Sequence, residues 1–304
     1  MQFGRNHLDF ETFMSQAWDD HATDAAGVAR RLDDGVALVG DEAQLNRLMH
    51  LGQHVYGEHL AEWRNGEDFI ERLVALPMFV TDGASGQARR RTVAALRLSA
   101  GADTALIDLS ASDRIRVGAM ASSNLAAHDT ARASRLLEEA LGLAQRAGLT
   151  ADDPMHRSLA VTGNSLACTL EEKFGRSADE RALMILAAQT ARRHWAIAGT
   201  WLETERAEYR LANTWLQAGD LARAREHAQA CLALVAANDG AALERLFGWE
   251  ALGLVERAAG NASGHAEALA RAREAFAVLD DADKSWCAAS IDKLAAGAAA
   301  GDGR

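Results

Sequence analysis

The chain has 304 residues and a formal net charge of −11, which repels phosphate backbones and anionic lipid surfaces and argues against nucleic-acid and membrane-surface binding. Hydrophobic residues make up 49% and charged residues 25%, the make-up of an ordinary folded protein, and the length suffices for a large core or an extended array. Only two prolines, Pro77 and Pro154, and the absence of alternating Val/Ile/Thr runs predict a chain built of helices.

In chain order, residues 1–11 show no apolar core behind a basic stretch, so no secretory signal is expected. Residues 9–21 predict a first helix with Phe10, Phe13, Met14 and Ala17 on one face and Trp18 beside it. Residues 23–39 predict a second, with Thr23 or Asp24 as N-cap. Residues 41–63 read as one long helical run, broken at Asn65-Gly66 and resumed over 67–76. The apolar stretch 73–80 reads as a helix terminus. Residues 81–86 are rich in turn formers, and residues 99–113 combine Gly, Asp and Ser around a short apolar centre. The second of these stretches is the expected boundary, giving an N-terminal helical region over 1–112, an array over 113–296 and a frayed tail over 297–304; the alternative is one continuous superhelix, since 41–76 also has the helix–Gly turn–helix form of a divergent hairpin. No run approaches the roughly 20 apolar residues of a membrane span. Cys168, Cys231 and Cys287 are far apart and form no CxxC pair, so they read as buried thiols of a reducing compartment, and the cytoplasm is the expected location. The basic runs Arg89-Arg90-Arg91 and Arg192-Arg193 read as solvated helix faces.

Two segments, 207–234 and 246–279, have the same form: an apolar helix, a Gly-containing turn and an Ala-rich helix. The turns are Gly219-Asp220 and Gly260-Asn261. Leu211, Ala212 and Trp215 precede the first turn, and Trp249, Leu252 and Gly253 precede the second. Weaker units follow the same plan. One has Met120 and Ala121, a turn at His128-Asp129, then Ala133, Leu137 and Ala140. Another covers 165–197 around Gly175, with Ala167 and Cys168 at small positions. Such hairpins cannot hide an apolar face alone and stack on their neighbours.

The pattern resembles the tetratricopeptide repeat. Trp249, Leu252 and Gly253 match its Trp-x-x-Leu-Gly core; Leu211, Ala212 and Trp215 match it with Glu208 in place of the first Trp; Ala224 and Ala228 match its small second-helix positions. Two departures stand out: the turns lie 41 residues apart, against about 34 in the family, and neither good repeat has the usual closing Pro. The resemblance covers about residues 113–296. It implies an all-α fold, an α-α superhelix of antiparallel hairpins, right-handed, whose first helices line a concave peptide-binding groove. Carried onto this chain, the groove positions are Arg206, Tyr209, Arg210, Asn213 and Leu216 in one repeat and Phe247, Glu250, Leu254 and Arg257 in the next. Asn213 matches a family position that holds peptide backbone, a task suited to an amide, and Phe247 and Leu254 suggest a mixed apolar groove for an amphipathic helix.

Catalytic signatures are missing. There is no phosphate-binding GxxxxGK[ST], no GxGxxG and no HExxH, and Gly83-Ala84-Ser85-Gly86 lacks the spacing of a nucleophile elbow. The best cluster for chemistry is His50, His54 and Glu58, at i, i+4 and i+8 on one helix face, with His59 alongside; such residues can bind zinc. The same set also suits polar groups at a helix–helix seam. Of the seven tryptophans, Trp215 and Trp249 read as core, and Trp195 and Trp201 flank Gly199, where they could lie nearer the surface. The expectation is a non-enzymatic scaffold binding a protein or peptide, without cofactor. The alternatives are a sensor module binding a small molecule or signalling peptide, and a metal-dependent enzyme using His50, His54 and Glu58.

Overall fold

The computed structural model describes residues 9–296, which form fourteen α-helices and, among the described residues, no strand. The tail expected to fray, 297–304, lies outside the described residues, as do residues 1–8 of the expected signal-free start. The chain divides into two units, Met1–Met155 and His156–Arg304.

In the first unit, α1 (Phe10–Asp20) begins where the Asp9 carboxylate accepts a hydrogen bond from the Thr12 N–H. The next helix, α2 (Ala25–Leu38), begins where Asp24 accepts one from Gly27. These side chains satisfy amides that a helix start leaves open. The 3.6-residue spacing of Phe10, Phe13, Met14 and Ala17 turns them to one side, where they are buried with Val28 and Leu32 of α2. Leu45, Leu48 and Met49 of α3 (Glu42–Gln53) and Phe69 and Ile70 of α4 (Trp63–Arg72) complete that core.

The run expected as one helix over 41–63 is divided differently. After Gln53 the helix widens into a π turn, His54–His59. It then closes on itself: the Leu60 N–H bonds to the Val55 carbonyl (3.1 Å) and the Glu62 N–H to that of Tyr56 (2.9 Å). Ala61 takes a left-handed φ of 51° there, so the break falls at 60–62. Asn65-Gly66, the expected break, is instead helical, and Gly66 is buried inside α4. The stretch after α4 ends in a short 3-10 turn, Leu73–Ala75, as a helix terminus should.

The remaining helices of this unit are α5 (Ala84–Ser99), α6 (Ala111–Leu125) and α7 (Thr130–Arg146). The expected domain boundary, 99–113, does not separate two bodies. Ala94, Ala95 and Leu98 of α5 share a core with Val117 and Ala121 of α6. A buried polar chain ties the same place: Gln53 Nε2 donates to Asn124 Oδ1 (2.8 Å), Asn124 Nδ2 to Ser99 Oγ (3.0 Å), and Ser99 Oγ to the Ala95 carbonyl (2.8 Å). Buried amides and hydroxyls must be paired in this way. The division lies further on, in the first turn of α8 (Pro154–Glu172).

The second unit continues with α9 (Ala178–Ala198), α10 (Trp201–Ala218), α11 (Leu221–Ala237), α12 (Ala242–Ala258), α13 (Ala262–Ala277) and α14 (Asp281–Ala295). The two expected hairpins are α10/α11 and α12/α13. Their turn glycines, Gly219 and Gly260, have φ of 85° and 70°, the left-handed geometry that ends a helix at least cost with glycine. Asp220 and Asn261 then cap the following helices. Ala224 and Ala228 are fully buried, so the backbones come close. Beyond each hairpin, α10 packs on α12 and α12 on α14, which sets the first helices side by side.

Two backbones come close under Gly163 of α8, where a Cβ atom would lie 2.5 Å from the Ala187 carbonyl oxygen and 2.9 Å from the Ala191 nitrogen of α9. Helix propensity alone favours Ala over Gly by about 1 kcal/mol. The contact reverses that sign, because backbone atoms cannot swing aside. Gly163→Ala is expected to destabilise the protein by about 1–3 kcal/mol in urea unfolding; an unchanged or raised midpoint would show that α8 and α9 stand further apart.

Candidate functional site

The side-by-side first helices of the second unit carry a row of aromatic rings. Tyr209 of α10 meets Phe247 of α12 edge to face, with ring centres 5.6 Å apart, and Phe247 meets Trp286 of α14 in the same way at 5.4 Å. These are favoured quadrupole geometries. The row runs outward: the Tyr209 hydroxyl donates to Glu250 Oε2 at 2.9 Å, whereas Trp286 is 67% exposed. Burial, and then the Glu250 carboxylate, push the Tyr209 phenol well above its usual pKa. Burial also pushes the Glu250 carboxyl up.

The residues expected to line a groove fall into two sets. Tyr209 and Phe247 are brought together in the aromatic row, and Leu216 is half-buried beside Trp249 in a cluster with Leu254, Leu269, Ala272 and Leu294. Glu250 and Leu254, however, are only 3% and 5% exposed; they fill the seam between helices and do not present a surface. The polar members are engaged within the unit. Arg206 pairs with Glu244 at 3.1 Å, Arg210 with Glu171, and Arg257 donates to the Lys293 carbonyl at 2.8 Å. Asn213 Nδ2 donates to the Tyr209 carbonyl one turn back, at 3.0 Å. Each of these bonds is available for exchange only at the cost of breaking it, so the apolar end of the row is the part of this face left open.

Trp286 was the member that repeat spacing did not single out. Its signal was chemical: a Trp set in the polar run Asp283-Lys284-Ser285, on the last helix, where no further hairpin follows among the described residues to cover it. Trp195, beside the Gly199 turn, is 9% exposed and packs with Ala160, Ala191 and Ala207. A set of acid-centred bonds was also illegible. Glu208 takes Arg192 and, at 2.6 Å, His227. Glu205, 1% exposed, accepts from the Cys231 thiol at 2.8 Å, and its carboxyl is pushed up to about 6 by desolvation.

In the first unit, the candidate ligand set His50, His54 and Glu58 is only partly assembled. His54 Nδ1 lies 3.2 Å from Glu58 Oε2, but His50 stacks on Trp18 at 5.6 Å. The π turn is the reason: it changes the angular step after Gln53, so the i, i+4, i+8 face of a regular helix does not continue. His59 and a residue from another helix, His21, take the place of His50: ring nitrogens of His21, His54 and His59 all lie within 4.8 Å of one another.

No family model matches the chain, and comparison with curated proteins and with solved structures finds no match either. No helix among the described residues is long and apolar enough to cross a membrane.

Proposed function

We propose that the second unit is a protein- or peptide-binding scaffold of the tetratricopeptide-like superhelical kind, acting in the cytoplasm, whose row of first helices receives an apolar side chain of the partner against Trp286. The observation that carries this reading is the aromatic row Tyr209–Phe247–Trp286 ending in a largely exposed indole. Exposed Trp on a rigid base is costly to leave in water and is the residue type that most often anchors an interface. The indole rests on Phe247, and Tyr209 beneath is fixed by its bond to Glu250, which holds the ring in place and lowers the ordering cost of binding. The net charge of −11 disfavours nucleic acid as the occupant.

The test uses the full chain labelled with fluorotryptophan, with the Trp286 resonance assigned through Trp286→Phe. Peptides selected from a random display library on the parent protein are expected to shift that resonance. Trp286→Ala should weaken them by about 30-fold, the size of a 2 kcal/mol anchor, with stability within about 0.5 kcal/mol of the parent. Selected peptides whose affinity is the same for the parent, Trp286→Ala and Phe247→Ala would overturn the reading.

A further inference from the structure

The π turn of the first unit brings together side chains that a regular helix would hold apart. Five residues along an α-helix turn through about 500°, which leaves positions i and i+5 well over a quarter-turn out of line. Widening the turn realigns them. His54 and His59 accordingly face each other, with ring centres 4.7 Å apart and Nε2 atoms 3.1 Å apart. His21, just past the end of α1, closes the third side: its ring centre is 5.0 Å from that of His54 and 5.1 Å from that of His59. Trp18 walls the cluster on the α1 side, 5.1 Å from His54 and 5.2 Å from His21.

Each inner ring is oriented through its other nitrogen. His21 Nδ1 is hydrogen-bonded to the Trp18 carbonyl. His54 Nδ1 faces the Glu58 carboxylate at 3.2 Å. An acceptor on Nδ1 holds the proton there and turns the Nε2 lone pair to the opposite side. The His54 lone pair therefore faces His59 Nε2, and a ring nitrogen of His21 lies within 4.8 Å of both residues' ligand atoms. Two ring nitrogens that face each other are satisfied only by a shared proton or a shared cation. Zn–N bonds of about 2.0–2.1 Å at a tetrahedral angle place two ligand nitrogens about 3.3–3.4 Å apart, close to the 3.1 Å found here.

We propose that His21, His54 and His59 form a binding site for one divalent transition-metal ion of the zinc type, with Glu58 orienting His54 and the Trp18 carbonyl orienting His21. Three imidazoles suit zinc, nickel, copper or iron better than magnesium or calcium. Three protein ligands leave a fourth coordination position for water, as in open zinc sites. This site lies in a different unit from the aromatic row, and the two readings stand or fall separately.

The experiment strips the full chain with a chelator and titrates Zn²⁺ in competition with a chromophoric chelator, with helix content followed by circular dichroism. One equivalent is expected to bind tightly. Glu58→Gln should weaken it by roughly 10–100-fold, as loss of an orienting partner does. His21→Gln, His54→Gln and His59→Gln should each weaken it by more than about 100-fold, beyond that range because a ligand itself is lost. His50→Gln should leave it unchanged. Co²⁺ added to the parent protein should give the intense visible bands of a four-coordinate ion. Absence of stoichiometric Zn²⁺ binding by the parent, weak six-coordinate Co²⁺ bands, or Zn²⁺ affinity that survives His59→Gln in a chain of undiminished helix content would each overturn the proposal.

Discussion

Replacing Trp215 by Ala is expected to remove about 3–5 kcal/mol of stability, the cost of emptying a large buried aromatic site. Trp215 sits in the last turn of α10 and is 6% exposed. The Arg223 guanidinium of α11 lies over its ring, 4.4 Å from the centroid, so the indole holds the two arms of one hairpin together both by apolar contact and by cation–π attraction. The neighbouring turn cannot compensate, because Gly219 and Asp220 already return their N–H groups to the carbonyls of Leu216 and Trp215. Trp215→Phe keeps a ring beneath Arg223 and most of the volume, and should cost less than half as much. Urea unfolding of the two variants checks this. Equal losses for Ala and Phe would show that ring volume is not what matters, and a loss under 1 kcal/mol for Ala would show that the indole is not part of the hairpin core.

Acidification should destabilise the second unit through His194. This residue is 4% exposed, and its Nδ1 lies 2.9 Å from that of His156, itself 7% exposed. Desolvation, followed by the neighbouring His156 imidazole and the Arg193 guanidinium, lowers the His194 pKa from 6.5 to about 4. Between those values the unfolded chain binds a proton that the folded chain refuses, so stability is complete above 6.5 and is lost as pH falls toward 4. At about 1.4 kcal/mol per pH unit the loss is roughly 3 kcal/mol. Glu205 works in the opposite direction. Its carboxyl is pushed up from 4.5 to about 6, so the folded chain takes up a proton first. Its cost to folding is present above pH 6 and is relieved, by about 2 kcal/mol, as pH falls to 4.5. The parent therefore shows the difference of two opposed effects, and the variants separate them. Relative to the parent, His194→Gln should flatten the acid limb of the stability curve, and Glu205→Gln should steepen it. Stability–pH curves that stay parallel for all three proteins would refute the account.

The residues that define the hairpins were readable in advance because their work is local. Asp24 caps the helix it precedes, and Gly219 and Gly260 sit at turns that need a left-handed residue. The misplaced break in the first unit shows where local reasoning fails. Asn65-Gly66 has the composition of a turn, yet tertiary packing overrides it: a Cβ on Gly66 would press on Tyr56 and Leu96, so glycine is there to let helices approach. The left-handed residue is Ala61, which no propensity favours. The candidate sites divide in the same way. Helix spacing set Tyr209 and Phe247 at matching places on α10 and α12, and their rings meet there. The burial of Glu250 and Leu254 was not legible, because register places a residue on a helix face without saying how closely the next helix covers that face.

From its sequence alone this protein is a helical chain with hairpin units: the 3.6-residue apolar period, the scarcity of proline and the capped glycine turns each act within a few residues and need no partner to be read. The meeting of His21 with His54 and His59, the outward end of the aromatic row at Trp286 and the burial of His194 against His156 belong to the tertiary structure. They join side chains from separate helices, and such encounters depend on how helices pack and on one widened turn, quantities that no local spacing encodes.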